Sequence, residues 1–268
     1  MSVLDVEMMD SHVGPIQLRR GGTGPSLVYL HSASGEGDGL ELLDLLAAHF
    51  EVIAPMFPGF GDSEGIDRID DMDEAALHLL DVFDRLNLLA PALVGVSLGG
   101  WMAAEVASRY PDRVRRMVLV NPAGLHLPGA PVKDIFGRSA REMAPDLFFD
   151  QHHPLAELML ARDRVARDPA ATLTIDQVRP VYQAMAATAR LGWDPYLHDP
   201  KLMKRLWRVA SPTLVVRATG DTLIPEAHAR RYVAEIRGAR YTEIADAAHL
   251  VAIERPDALA AVIVRFLA

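Results

Sequence analysis

The sequence contains no cysteine. That excludes disulfides, thiolate zinc sites and a cysteine nucleophile. Positive charge is also scarce: 27 Lys and Arg stand against 36 Asp and Glu, for a formal net charge of −9. A nucleic-acid surface needs clustered Lys and Arg to neutralise phosphates, so nucleic acid is not an expected partner. No apolar run approaches the roughly 18 residues that would suggest a membrane span. The opening "MSVLDVEMMDSH" has neither the basic start nor the apolar stretch of a secretory signal. The expectation is a cytoplasmic protein with no membrane partner. No internal repeat and no low-complexity segment interrupts the chain.

What is present is a sequence of 268 residues, half of them apolar, which is enough to bury a sizeable core. The pieces "VLDVEM", "IQLRR" and "SLVYLH" read as short strands in an antiparallel start. The pattern then alternates. "GLELLDLLAAH" reads as a helix and "FEVIAPM" as a strand. "MDEAALHLLDVFDRLNL" is a helix with Ala76, Leu79, Leu80, Phe83 and Leu86 at helical spacing. Its first turn is rich in acid, which suits the positive end of a helix dipole. "ALVGV", "LGGWMAAEVASRY" and "RRMVLVN" continue as strand, helix and strand. Wholly apolar strands separated by helices predict an α/β fold with a mostly parallel sheet covered on both faces.

From about His126 to Pro200 the rhythm breaks into helical pieces rich in large apolar residues. It resumes with "SPTLVVRATGD", "PEAHARRYVAEIRG", "ARYTEIA" and "PDALAAVIVRFLA". The division expected is a core of residues 1–125 and 201–268 carrying a helical insertion over 126–200.

One corner of this pattern asks for chemistry. The strand "ALVGV" runs into Ser97-Leu98-Gly99-Gly100 and a helix begins at once. Gly-x-Ser-x-Gly is a weak signal alone, but a sharp strand-to-helix turn gives it a reason. The turn strains the apical residue and leaves no room for a Cβ two places before or after it. The hydroxyl of Ser97 is lifted out of the sheet, and the N–H of Leu98 sits at a helix N-terminus, where a developing oxyanion is stabilised. The plainer alternative makes Ser97 an N-cap and the glycines a tight turn.

A serine nucleophile needs a base, and the base needs an orienting carboxylate. His249 lies between the last strand and the last helix. Asp221 follows the preceding strand. A parallel sheet gathers both loops on the edge that carries Ser97. Asp246 is the rival acid, expected to shape the loop. His152 and His153 are adjacent, so they aim apart and make a poor metal pair. His12, His78, His198 and His228 read as surface positions. The second oxyanion donor is expected in His31-Ser32-Ala33-Ser34-Gly35-Glu36-Gly37, where small residues let backbone N–H groups approach.

With these residues in place the chain resembles the α/β-hydrolase superfamily over nearly its whole length. "GVSLGG" resembles the nucleophile elbow, "FPGFGDS" the loop after the fourth strand, "TGDTLIP" the acid loop and "AHLVAIERP" the histidine loop. The resemblance implies Ser97 as nucleophile, Asp221 as acid and His249 as base. It implies an oxyanion hole from the N–H groups of Leu98 and Ala33, and a helical cap over 126–200. It implies no metal and no cofactor. Two positions depart from the pattern: Ser32 stands where glycine is usual, and Ala248 stands before the histidine. Serine at 97 argues against the branches with a carboxylate nucleophile.

The activity expected is cleavage of an ester or related acyl compound through an acyl-enzyme. The apolar insertion suggests a small or medium, partly hydrophobic substrate, with Phe148 and Trp193 as candidate lining residues. The run "NPAGL", followed by "APVKDIF", is similar to the branch that hydrolyses C–C bonds in aromatic ring-cleavage products. A ligand receptor that keeps the triad without turnover is the alternative outside enzymology. The oligomeric state is open.

Overall fold

The computed structural model describes residues 2–37, 39–167 and 174–268. Strands β1 (Asp5–Ser11) and β2 (Gly14–Gly21) form a hairpin through a turn at His12 and Val13. Next come β3 (Ser26–Leu30), α1 (Glu41–Ala47), β4 (Glu51–Pro55), α2 (Met72–Arg85), β5 (Ala92–Val96), α3 (Leu98–Arg109) and β6 (Arg116–Val120). Helices α4 (Ala140–Leu147), α5 (Pro154–Arg167) and α6 (Ile175–Gly192) interrupt the alternation. It then resumes with β7 (Thr213–Ala218), α7 (Glu226–Glu235), β8 (Arg240–Ile244), α8 (Val251–Glu254) and α9 (Pro256–Leu267).

The eight strands make one sheet in the order β1-β2-β4-β3-β5-β6-β7-β8. The β1–β2 and β2–β4 pairs are antiparallel and all the others parallel. Successive strand residues face opposite sides, which is why the inner strands are apolar throughout. Val28, Leu93, Met117, Leu119 and Val215 pack under α2, α3 and α7. Leu27, Val94, Val118, Val120 and Val216 pack under α1 and α9. Each fully buried Val or Leu contributes about 1.5–3 kcal/mol.

Local signals in the sequence explain where the helices begin. Asp71 caps α2 by accepting from the Glu74 N–H at 2.9 Å, and Glu74 reaches back to the Asp70 N–H at 2.6 Å. Ser139 and Glu142 form a full capping box on α4, in which Glu142 reaches back to the N–H of the cap residue itself. Proline starts α9, where a missing N–H costs nothing.

Two histidines expected on the surface are buried. His78 lies 2% exposed among Ala75, Leu79 and Val82 on the inner face of α2, with its ring edge-on to Phe57. His228 is 1% exposed, and its Nε2 lies 2.7 Å from the Ala130 carbonyl. A histidine at helical spacing with apolar neighbours follows its face inward once its ring finds contacts there.

The segment between β6 and β7 returns to where it leaves. The Gly124 N–H donates to the Leu197 carbonyl, the Asp199 N–H donates to the Gly124 carbonyl, and the rings of His126 and His198 lie 4.5 Å apart. Arg205 then ties the returning chain to α3. It pairs with Asp199 at 2.5 Å and with the fully buried Glu105 at 2.6 Å, while Trp101 Nε1 donates to the other Glu105 oxygen. Burial raises the Glu105 carboxyl above its ordinary range and Arg205 offsets this in part.

Candidate active site

The strand ends place the candidate residues on one edge of the sheet. Val96 lies opposite Val120, Val120 opposite Val216, and Ala218 opposite Ile244. The loops that follow β5, β6, β7 and β8 therefore emerge together. They carry Ser97, Asn121, Asp221 and His249.

Ser97 sits at the corner with φ 52° and ψ −109°, in a region that an L-residue enters at a cost of about 1–3 kcal/mol. The turn is held by its surroundings. The Ser97 N–H donates to the Val120 carbonyl, and the Ser97 carbonyl accepts from Trp101 and Ala123. A Cβ on Gly95 would stand 2.3 Å from the Gly99 carbonyl oxygen, and one on Gly99 would stand 2.1 Å from that of Leu30. The second clash is with the end of β3 rather than with the elbow itself. The absence of side chains here is what seats the elbow against the loop that follows β3.

The Ser97 hydroxyl makes no capping bond to its helix. Instead Ser97 Oγ lies 2.9 Å from His249 Nε2, and His249 Nδ1 lies 2.9 Å from Asp221 Oδ2. The other Asp221 oxygen accepts the N–H groups of Leu223 and Ile224 at 2.9 and 3.0 Å. All three residues are buried. With a carboxylate on Nδ1, the imidazole carries its proton there and presents Nε2 as an acceptor to the hydroxyl. Asp246, the rival acid, is exposed with φ 54°, and its carbonyl accepts from Arg255.

Leu98 is the first residue of α3, and Ala33 lies in the turn closed by the Gly35 N–H on the Ser32 carbonyl. Ser32, where glycine is usual, has its own work. Its N–H and Oγ both reach the Glu36 carboxylate, at 2.8 and 2.5 Å, and Ser32 Oγ accepts from the Ser34 N–H. Tyr29 adds its hydroxyl to the same carboxylate. His31 braces the loop from below: Nδ1 lies 2.7 Å from the Ser32 carbonyl, and Nε2 accepts the Phe57 N–H at 3.0 Å. That pattern needs the neutral ring, and burial pushes the His31 pKa down against the opposing pull of Glu36.

Asn121, Glu254 and the end of α4 hold the His249 loop, a role the sequence did not reveal. The Asn121 side-chain amide donates to the His249 carbonyl at 3.0 Å and accepts the Ala218 N–H at 2.9 Å. Glu254 accepts from the Ala248 N–H with one oxygen and from the Phe149 and Asp150 N–H groups with the other. The end of α4 completes the clasp, since the Asp146 and Leu147 carbonyls accept from the His249 and Leu250 N–H groups at 3.3 and 3.0 Å. Burial alone would raise the Asp146 carboxyl, but Lys133, Thr222 and Arg138 together hold it below the usual range. The one signal for this clasp was the position of Glu254 in "AHLVAIERP". Asn121 opens the quoted "NPAGL" run, which gave no hint of this contact, and nothing local marks Asp146.

Of the two candidate lining residues, Phe148 is brought near the site. It is buried against Ala156 and Leu250, with its ring stacked on His153. Trp193 is 62% exposed and packs on Phe136 at an outer groove with Val132, Asp134 and Tyr196.

The family model for the alpha/beta hydrolase fold matches residues 25–256. The chain belongs to the α/β-hydrolase family. Among curated relatives it is 30% identical over 253 residues to the polyketide synthase ThaQ of Burkholderia thailandensis. The match covers 94% of this chain and 12% of the synthase, so the chain spans a small part of that relative. It is 26% identical over 242 residues to the pyrrolizixenacetamide deacetylase of Xenorhabdus hominickii, covering 88% of each. The meta-cleavage product hydrolase from Pseudomonas fluorescens IP01 shares the fold with a TM-score of 0.75 at 20% identity, covering 97% of each chain. No helix among the described residues of this α/β-hydrolase is long and apolar enough to cross a membrane.

Proposed function

We propose that this α/β-hydrolase is a serine hydrolase that cleaves an ester or related acyl compound. The observation that carries the reading is the continuous line Asp221–His249–Ser97, with both contacts at 2.9 Å and the hydroxyl free of any capping role. Ser97 Oγ attacks the acyl carbon while His249 Nε2 takes its proton. Asp221 stabilises the resulting imidazolium. The N–H groups of Leu98 and Ala33 hold the oxyanion, an interaction worth about 3–4 kcal/mol for one donor. The bond to the leaving group breaks as His249 returns the proton to it. Water then attacks the acyl-enzyme, His249 takes a proton from that water, and Ser97 recovers its hydroxyl as the acid departs.

Residues 126–200 act as a helical cap on a core of 1–125 and 201–268, a reading supported by the pairing of Gly124 with His198 at its neck. Phe148 lines the acyl pocket and Trp193 the outer entrance. The likeness to an acetamide deacetylase over 88% of each chain supports an acyl substrate, amides included. A second reading, hydrolysis of a C–C bond in a vinylogous 1,5-diketone, is favoured by the "NPAGL" run that carries Asn121.

A fluorophosphonate tests the proposal, because its phosphorus mimics the tetrahedral intermediate. Wild type should be labelled at Ser97. Ser97→Ala should abolish labelling and His249→Ala nearly so. Graded p-nitrophenyl esters, an N-acetyl arylamide and a vinylogous 1,5-diketone then separate the substrate classes. Folded wild type that stays unlabelled would sink the triad assignment. Labelling without turnover of any of these compounds would favour a receptor.

A further inference from the structure

A second cluster of chemically capable side chains lies away from Ser97. The turn between β1 and β2 brings His12 onto α2, where His78 and Asp81 stand one helical turn apart on a shared face. Candidate donor atoms of all three lie within 4.8 Å of one another. His12 Nδ1 is 3.3 Å from Asp81 Oδ2. Two ligands on one tetrahedral zinc, each about 2.0–2.1 Å from the metal, stand about 3.3 Å apart.

The three residues are arranged like a built site rather than a chance surface group. His78 is 2% exposed, and its Nδ1 has no hydrogen-bond partner among the described residues. A buried ring nitrogen without a partner requires a reason. A cation at this cluster would give the ring an electrophilic partner. Asp81 directs one oxygen, Oδ2, to the His12 N–H, the His12 ring and Arg85 Nε, and Oδ1 takes part in none of these bonds. His12 is exposed and offers a way in, and the Arg85 side chain, 39% exposed, can turn to solvent. Burial, with help from His12 and Arg85 and against Asp81, pushes the His78 pKa down to about 4.

We propose that His12, His78 and Asp81 bind one divalent cation of the zinc, nickel or cobalt class, with solvent in the fourth position, and that the cation ties the edge hairpin to α2. Two imidazoles and one carboxylate suit these ions. Calcium and magnesium prefer all-oxygen shells. None of its ligands is hydrogen-bonded to Ser97, Asp221 or His249, and His78 meets the site's surroundings only through the cavity it lines with His31 and Leu98.

The test uses the full chain stripped with a chelator, titrated with zinc by calorimetry and melted with and without the metal. About one equivalent should bind at micromolar affinity and raise Tm, because a ligand that binds only the folded state stabilises it. Cobalt should show the intense visible bands of a tetrahedral centre. His12→Ala, an exposed change that leaves the core intact, and Asp81→Asn should each weaken zinc binding at least about tenfold. His126→Ala, which removes one ring of the tilted pair at the neck, should leave it unchanged. Zinc binding that is equal in wild type and His12→Ala, or wild type whose Tm does not respond to zinc, overturns the proposal.

Discussion

The side-chain amide of Asn121 spans from the Ala218 N–H to the carbonyl oxygen of His249, at 2.9 and 3.0 Å. One residue at the end of β6 thus links β7 to the loop that carries the base. Its φ of 42° is a conformation that Asn tolerates better than most residues. Removing the amide leaves a buried donor and a buried acceptor unpaired, at about 1–3 kcal/mol each. Asn121→Ala should lower kcat about tenfold with a smaller change in KM and should depress Tm. Asn121→Asp should be worse, because a carboxylate would face the His249 carbonyl. Steady-state kinetics beside thermal melts check this, and a change confined to KM would count against a positioning role.

Asp221 and Asp246 make opposite predictions. Asp221→Asn keeps the shape but loses the charge beside the imidazole, so turnover should fall by roughly 10⁴. Asp246→Asn keeps a residue that accepts positive φ and removes only an exposed carboxylate, so activity should stay within about twofold. Initial rates on one ester, with both variants purified in parallel, decide the assignment. The reverse order would move the acid to Asp246.

Glu254 bonds to the backbone on both sides of the clasp, at Ala248 and at Phe149 and Asp150. Glu254→Ala should loosen the His249 loop and the end of α4 together. Hydrogen exchange should quicken at both segments, and kcat should drop more than fluorophosphonate labelling does. Exchange that rises at one segment alone would show that the two are held separately.

His31 predicts a pH dependence. Its folded-state pKa lies below the ordinary value near 6.5, because burial disfavours the charged ring. The unfolded chain therefore takes up the proton more readily. The stability His31 contributes is present above pH 6.5 and is lost as pH falls from there through its lowered folded value. Buried His228, pushed down for the same reason, adds to the trend. Tm measured from pH 7.5 to pH 5 should fall, and His31→Phe should flatten the slope at some cost in stability. A wild-type Tm that does not change across that range would contradict the neutral brace.

The sequence by itself determined the features that depend on neighbours along the chain. Wholly apolar strands and helical spacing placed the α/β alternation, and the alternation fixed which loops share an edge. The glycines around Ser97 were legible because a corner that tight leaves a local signature. Tertiary structure alone decided what each side chain meets across the sheet. Glu36 bracing Ser32, Asn121 holding the His249 carbonyl and α4 clasping the same loop join residues far apart in sequence, and no local pattern encodes such a pairing. The inward turn of His78 and His228 belongs to the same class. A histidine has no fixed preference for core or surface, so its place is set by the partners that packing supplies.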